Sequence, residues 1–218
     1  MKRYLPFVII VVVAALTVFA GAMMLRADRR ALAAQKTAPV GPVDPKLEAA
    51  HARGAQDAKV TVDEYGDFQC PSCAKTTELV NALEQEYAGK LKVVFWQFPL
   101  PMHAHSRDAA LAAEAASRQG RFWEMHDLLY KNQNSWAHLP DPHPEFEKYA
   151  GEIGLDVDRY RKALRDPAVM ARVDAEHAQG VARGVKGTPT FFINWREFPP
   201  PFTPERFREA LNAALAAK

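Results

Sequence analysis

The sequence predicts an α/β domain built on a βαβ unit that carries a cysteine pair. Helices follow its second strand, then a return to strand and a closing helix. Three observations predict this. Lys59 to Tyr65 alternates and is β-branched, and Leu91 to Phe98 has the same strand character. Between them Val80, Leu83 and Tyr87 recur at helical spacing, on one stripe with Cys73 and Thr77. Residues 103–183 then read as four or five consecutive helices before Thr190-Phe-Phe-Ile193 returns to strand.

Taken in order, the chain starts with an apolar stretch. Residues 5–25 contain no charge. About 20 apolar residues cross a bilayer, whereas the apolar part of a cleaved signal peptide runs to roughly 7 to 15. Residues 1–26 are therefore expected to be a membrane anchor, with a signal sequence cut near Ala20-Gly21-Ala22 as the alternative. No cysteine follows for lipid attachment. Arg26, Arg29 and Arg30 after the stretch outnumber Lys2 and Arg3 before it, but the free amino terminus evens the tally, so charge leaves the orientation undecided. Residues 27–55 read as a linker, because Thr37 to Pro45 is too rich in Pro and Gly for a regular helix. Lys46 to Arg53 is expected to form a short helical turn. The working domain is then 56–218, with a helical insertion at about 103–183.

The strand at 59–65 is broken by Gly66 and Asp67. Glu64 shares its face with Val60 and Val62, which points a carboxyl inward; a solvated strand-end acid is the alternative. The helix after Cys70 has Pro71 in its first turn, where a missing N–H costs nothing, and Gly89 as its stop. Pro99 to His105 is a loop, and Ser106 reads as the N-cap of a helix ending at Gly120. Arg121 to Lys131 is helical with a heavy apolar face. Its His126 reads as a core residue. Trp136 to Pro144 reads as a loop and Glu145 to Ile153 as a helix. Asp156 and Asp166 each cap a further helix, the second followed by Pro167. Thr203-Pro204 opens the last helix, with Phe207, Leu211 and Leu215 inward.

At 218 residues the chain can bury one good core, or one plus a small annex. A net charge of +2, with basic residues scattered among acids, excludes a nucleic-acid surface. Cys70 and Cys73 are the only cysteines, so no structural disulfide network exists. Two intervening residues suit a redox pair or half a metal site. Structural zinc takes four ligands, and the nearest histidines, His103 and His105, lack ligand spacing. No metal and no cofactor are therefore expected. Cys70 sits at a helix N-terminus, where free N–H groups and the helix dipole favour a thiolate; such sites lower a thiol pKa from about 8.5 to roughly 3.5–7.5. Cys70 is thus the expected attacking sulfur and Cys73 the resolving one.

Asp67-Phe-Gln-Cys-Pro-Ser-Cys73, Phe98-Pro99-Leu100 and Gly187-Thr-Pro-Thr-Phe-Phe-Ile-Asn194 together resemble the DsbA-like branch of the thioredoxin superfamily, from about residue 54 onward. The resemblance implies a thioredoxin-like fold with a helical insert over the cysteine face. It implies that Pro189 is cis beside the cysteines and turns Thr188 toward the sulfur to bind an extended substrate. It also implies that Glu64 relays protons to the second sulfur. The implied activity is a thiol:disulfide oxidoreductase that oxidises cysteine-containing protein substrates. A quinone-linked membrane oxidase would reoxidise it, with the domain on the periplasmic or extracytoplasmic side of the inner membrane. A reductase or isomerase of the same fold, and a tethered metal- or peptide-binding module, are the alternatives. Pro71-Ser72 lacks the histidine found between the cysteines of the strong oxidants, which implies a milder poise. The chain departs from the pattern at Trp195 to Phe202, where Pro199-Pro200-Pro201 puts the closing hairpin in doubt.

Overall fold

Two parallel seven-residue strands form the centre of the domain, because their alternating β-branched and aromatic side chains bury both faces. The computed structural model describes Met23 and residues 51–217. By contacts the chain divides into two units, Met1–Pro39 and Val40–Lys218; everything described below belongs to the second. Apart from Met23, the expected anchor and most of the expected linker lie outside the described residues. Among the described residues no helix is long and apolar enough to cross a membrane.

The strands are β1 (Ala52–Gly54), β2 (Val60–Gly66), β3 (Leu91–Gln97), β4 (Thr190–Ile193) and β5 (Arg196–Phe198). They form one sheet in the order β1-β3-β2-β4-β5, with β2 parallel to β3 and the other pairs antiparallel. Helix α1 (Pro71–Glu86) joins β2 to β3. The insert comprises α2 (Ser106–Ser117), α3 (Phe122–Lys131), α4 (Gln133–Trp136), α5 (His143–Glu152), α6 (Val157–Ala163) and α7 (Pro167–Ala182). Helix α8 (Pro204–Ala216) closes the chain.

Strand alternation sorts the core. Val60 and Val62 pack with Val80 and Leu83 of α1 and with Phe207 and Leu211 of α8. Tyr65, Val94, Trp96 and Phe192 form a cluster on the opposite face. A third cluster joins Cys70, Cys73 and Phe95 to the insert, where α2 contributes Ala109, Ala112, Ala113 and Ala116. Small side chains along that helix let its neighbours approach closely.

Several expectations need correction. Residues 52–54 form an edge strand, inside the stretch expected to be linker and where a helical turn was expected. What holds it is tertiary. Phe95 N donates to His51 O at 3.1 Å, and the His51 ring stacks on Phe122 at 3.6 Å. His51 Nε2 lies 2.6 Å from Glu114 of α2, and Arg172 Nε donates to Glu176 of α7 at 2.5 Å. His105, not Ser106, precedes α2; Ser106 Oγ instead donates to Leu100 O at 3.2 Å. The stretch 136–144 is not all loop, since α4 reaches Trp136 and α5 begins at His143. The insert therefore has six helices, one of them a single turn. Asp156 and Asp166 cap as expected, accepting from Arg159 N and Ala168 N.

The closing hairpin is present. Asn194 and Trp195 both take left-handed backbone, at φ 46° and 69°, as a two-residue hairpin turn requires. Asn194 Oδ1 steadies it by accepting from Thr61 N at 2.8 Å. The last ladder pair is Phe191 with Phe198, so the prolines begin only after pairing has ended. Arg206 Nη1 donates to Pro199 O at 2.9 Å and to Pro201 O at 2.7 Å, which fastens the run to α8.

Helix α7 crosses the sheet at Gly180, where an added Cβ would lie 2.6 Å from Phe98 and 2.9 Å from Tyr65. Gly180→Ala is expected to cost about 1–3 kcal/mol by overpacking, read as a lower urea midpoint with an unchanged slope.

Candidate active site

The site is assembled at the carboxyl end of β2, where the chain turns into α1. Cys70 is the N-cap residue, with extended backbone at φ −74° and ψ 120°, and Pro71 takes the first helical position. Its carbonyl accepts from Cys73 N at 3.1 Å and Ala74 N at 3.2 Å, which sets Cys73 one turn inside. Both thiols are free. Cys70 is 6% exposed and Cys73 is wholly buried, so an incoming thiol can meet only the first.

The two sulfurs differ sharply in acidity. The Cys70 thiol is lowered to about 5, first by a hydrogen bond from Cys73 and then, against the cost of burial, by Thr188 and the backbone N–H groups of Cys73 and Ser72. Burial pushes the Cys73 thiol well above its ordinary value, and the neighbouring Cys70 thiolate and Glu64 push the same way. The arrangement holds one sulfur as an anion and its partner as the donor that keeps it so.

The Thr188–Pro189 peptide is cis, and Cys70 Sγ lies 3.4 Å from Thr188 O. Thr190 Oγ1 donates to Gly187 O at 2.8 Å and closes the loop on itself. Glu64 lies on the inner face with Val60 and Val62 and is 2% exposed. Burial raises its carboxyl to about 8, opposed only by Arg53. Its Oε1 has no hydrogen-bond partner in the protein. The structure thus gathers Cys70, Cys73, Thr188, Pro189 and Glu64 around one helix end.

Sequence reasoning missed the shell that holds them. Buried Asp67 accepts from Gln69 N at 2.8 Å and Leu100 N at 2.9 Å, and faces His103 Nδ1 at 2.7 Å. Gln69 in turn accepts from His105 N at 2.6 Å and donates to Ala137 O at 2.7 Å. Gln133 donates to Phe68 O at 2.7 Å and Cys70 O at 3.0 Å, bracing the turn from the insert. The Asp67-to-Gln69 contact is a local Asx turn that the sequence does signal. The contacts of Gln133 and His103 span 65 and 36 residues and have no local signature. His126 is a core residue: it is buried, its imidazole is lowered by burial, and Nδ1 pairs with Asp127 at 2.8 Å.

Among the described residues, the metal-capable side chains with ligand atoms within 4.8 Å of one another are His51, Glu114 and Glu176, not the cysteines. A 2.6 Å separation between His51 and Glu114 is a hydrogen bond, and Glu176 already holds Arg172 and accepts from Gln97 N.

The sequence profile described as Thioredoxin matches residues 46–213. The chain belongs to the thioredoxin family. It is 39% identical over 178 residues to a Na(+)/H(+) antiporter, NhaA 3, of Salinispora tropica, covering 81% of this chain and 26% of that protein. The chain thus spans about a quarter of the length of that curated relative. A thioredoxin-like oxidoreductase from Silicibacter pomeroyi superposes with a TM-score of 0.66 at 25% identity, covering 80% of this chain and 95% of that one. Oxidised BdbD from Bacillus subtilis superposes with a TM-score of 0.72 at 22% identity, covering 83% and 100%. The family and the fold thus agree, with the cysteine pair at the N-terminus of α1.

In the reduced protein, alkylation of Cys70 by iodoacetamide is expected to be half-maximal near pH 5. A midpoint near that of free cysteine would show that the Cys73 bond and helix amides do not act. For Glu64, the folded state holds its proton up to about pH 8 while the unfolded chain releases it near 4.5. The folded state binds more protons in that window, so this group makes stability fall as pH rises through it. Glu64→Gln removes the dependence. Its stability relative to wild type is expected to rise with a slope of up to about 1.4 kcal/mol per pH unit between pH 5 and 8, measured by urea unfolding.

Proposed function

We propose that this thioredoxin-family protein oxidises dithiols of substrate proteins on the extracytoplasmic side of a membrane, held there by its N-terminal apolar segment. The observation that carries the reading is the placement of the sulfurs, Cys70 at the N-cap of α1 and Cys73 buried one turn inside, which lowers the Cys70 thiol to about 5 and pushes Cys73 up. A stabilised Cys70 thiolate stabilises the reduced pair, and a pair whose reduced form is stabilised is an oxidant. Disulfide formation belongs in an oxidising compartment, which supports the extracytoplasmic placement.

A substrate thiolate attacks Cys70 Sγ of the disulfide. The Cys70–Cys73 bond breaks, and Cys73 leaves as a thiolate that takes the Glu64 proton. The substrate's second thiolate then attacks its own sulfur in the mixed disulfide, and Cys70 leaves as the stabilised thiolate. The substrate loses two electrons and the pair gains them. A membrane-embedded, quinone-linked oxidase takes them on. Thr188 and Pro189 line the place where an extended substrate would lie against Cys70, by backbone pairing of the kind used in strand addition.

Cys70→Ser is expected to abolish exchange, and Cys73→Ser to accumulate covalent substrate adducts on non-reducing gels. A redox titration against glutathione is expected to place the pair between about −180 and −120 mV. A value near −270 mV would make it a reductase, and turnover by Cys70→Ser would exclude the scheme.

A further inference from the structure

Each half-cycle must deliver a proton to the Cys73–Glu64 pair or remove one, yet both groups are buried, at 0% and 2% exposure. Glu64 and Gly66 share one face of β2, two residues or about 7 Å apart along the strand. Tyr130 of α3 reaches over Gly66 beside the Phe95 ring: a Cβ placed there would stand 2.9 Å from the Tyr130 hydroxyl oxygen and 2.4 and 2.7 Å from two Phe95 ring carbons. The backbone N–H of Asp67, the next residue, bonds the Cys73 sulfur. Cys73 and Glu64 are the two charged groups that bear most on the Tyr130 hydroxyl.

Neither the Tyr130 hydroxyl nor Glu64 Oε1 has a hydrogen-bond partner in the protein. Tyr130 is fixed by its ring neighbours, Phe68 at 4.9 Å and Phe95 at 6.3 Å. Tyr130 and Thr77 line a cleft of about 650 Å³ between α1 and the α3–α4 segment. Thr77 also touches the pair's backbone, donating to Cys73 O at 3.0 Å.

We infer that Tyr130 is the relay residue through which Glu64, and hence Cys73, exchanges protons with water in this cleft. The inference rests on the exchange scheme proposed above. A phenol suits the role because it accepts on a lone pair while donating its own hydrogen. When Cys73 leaves as a thiolate, the Glu64 O–H breaks and an S–H forms. The Tyr130 O–H, through bridging water, then restores the carboxyl. A water of the cleft restores the phenol. The net change is one proton taken from solvent and one S–H formed, with no electron moved and no charge left on the ring. The groups that bear on Tyr130 are Cys73 and Cys70 from α1, Glu64 from β2, Asp67 from the turn and His126 from its own helix. Lys75, Glu78, Asp127 and Lys131 line the cleft.

The test is Tyr130→Phe, followed as single-turnover reduction of the oxidised protein by a dithiol peptide between pH 5 and 9, in H₂O and in D₂O. The expected result is a rate at least ten-fold lower near pH 7 and an altered solvent isotope effect, with the Cys70 alkylation curve unmoved. The Tyr130→Phe/Glu64→Gln double variant is expected to be no slower than Glu64→Gln alone. A wild-type rate and pH profile for Tyr130→Phe, or losses that multiply in the double variant, would overturn the relay. If the phenylalanine variant is poorly folded, fluorotyrosine at 130 keeps the hydroxyl while changing its acidity; an unchanged pH profile would again overturn it. Adducts formed by Cys73→Ser report the exchange scheme separately, so a failed relay and a failed scheme give different results.

Discussion

One hydrogen bond, from the Cys73 thiol to the Cys70 thiolate, organises this molecule. Helix α1 supplies it geometrically, because the N-cap position and the residue one turn in face each other only if the helix starts where Pro71 starts it. The bond needs the two sulfurs in opposite states. Burial secures that difference: an ionised Cys73 beside an ionised Cys70 would place two anions in a low-dielectric pocket. The turn into α1 and the insert packed on it leave Cys70 slightly exposed and Cys73 wholly covered.

The shell around the pair does so with few groups. Asp67 ties the turn before Cys70 to the loop after β3, and Gln133 ties the turn's carbonyls to the insert. Both side chains act on the backbone, while the Asp67 N–H also reaches the Cys73 sulfur, so this turn contributes to the sulfurs' chemistry as well as to their placement.

Much of this was legible in the sequence because it is local. The β2–α1–β3 unit follows from alternation, a helical stripe and a proline at the first helical position. The Asp156 and Asp166 caps are short-range signals, and the structure contains them. Glu64 was legible because strand parity fixed its face. What was not legible depends on distant partners. Ala52 to Gly54 has no strand character of its own; β3 and the His51 contacts impose it. Ser106 looks like a cap but is needed by Leu100. The prolines after Phe198 looked disruptive only because the end of the ladder could not be located in advance. Tyr130 was unremarkable on a helix whose inward face is crowded with large side chains.

The His51 anchorage has a mechanical consequence. Tension on the backbone ahead of this residue would reach the domain through β1, which lies antiparallel on the outer side of β3, and through side chains set into α2 and α7. Such a load runs along the sheet margin in shear, where several bonds must yield together. The load thus enters at the edge strand, two strands away from the β2 end that turns into the cysteine helix.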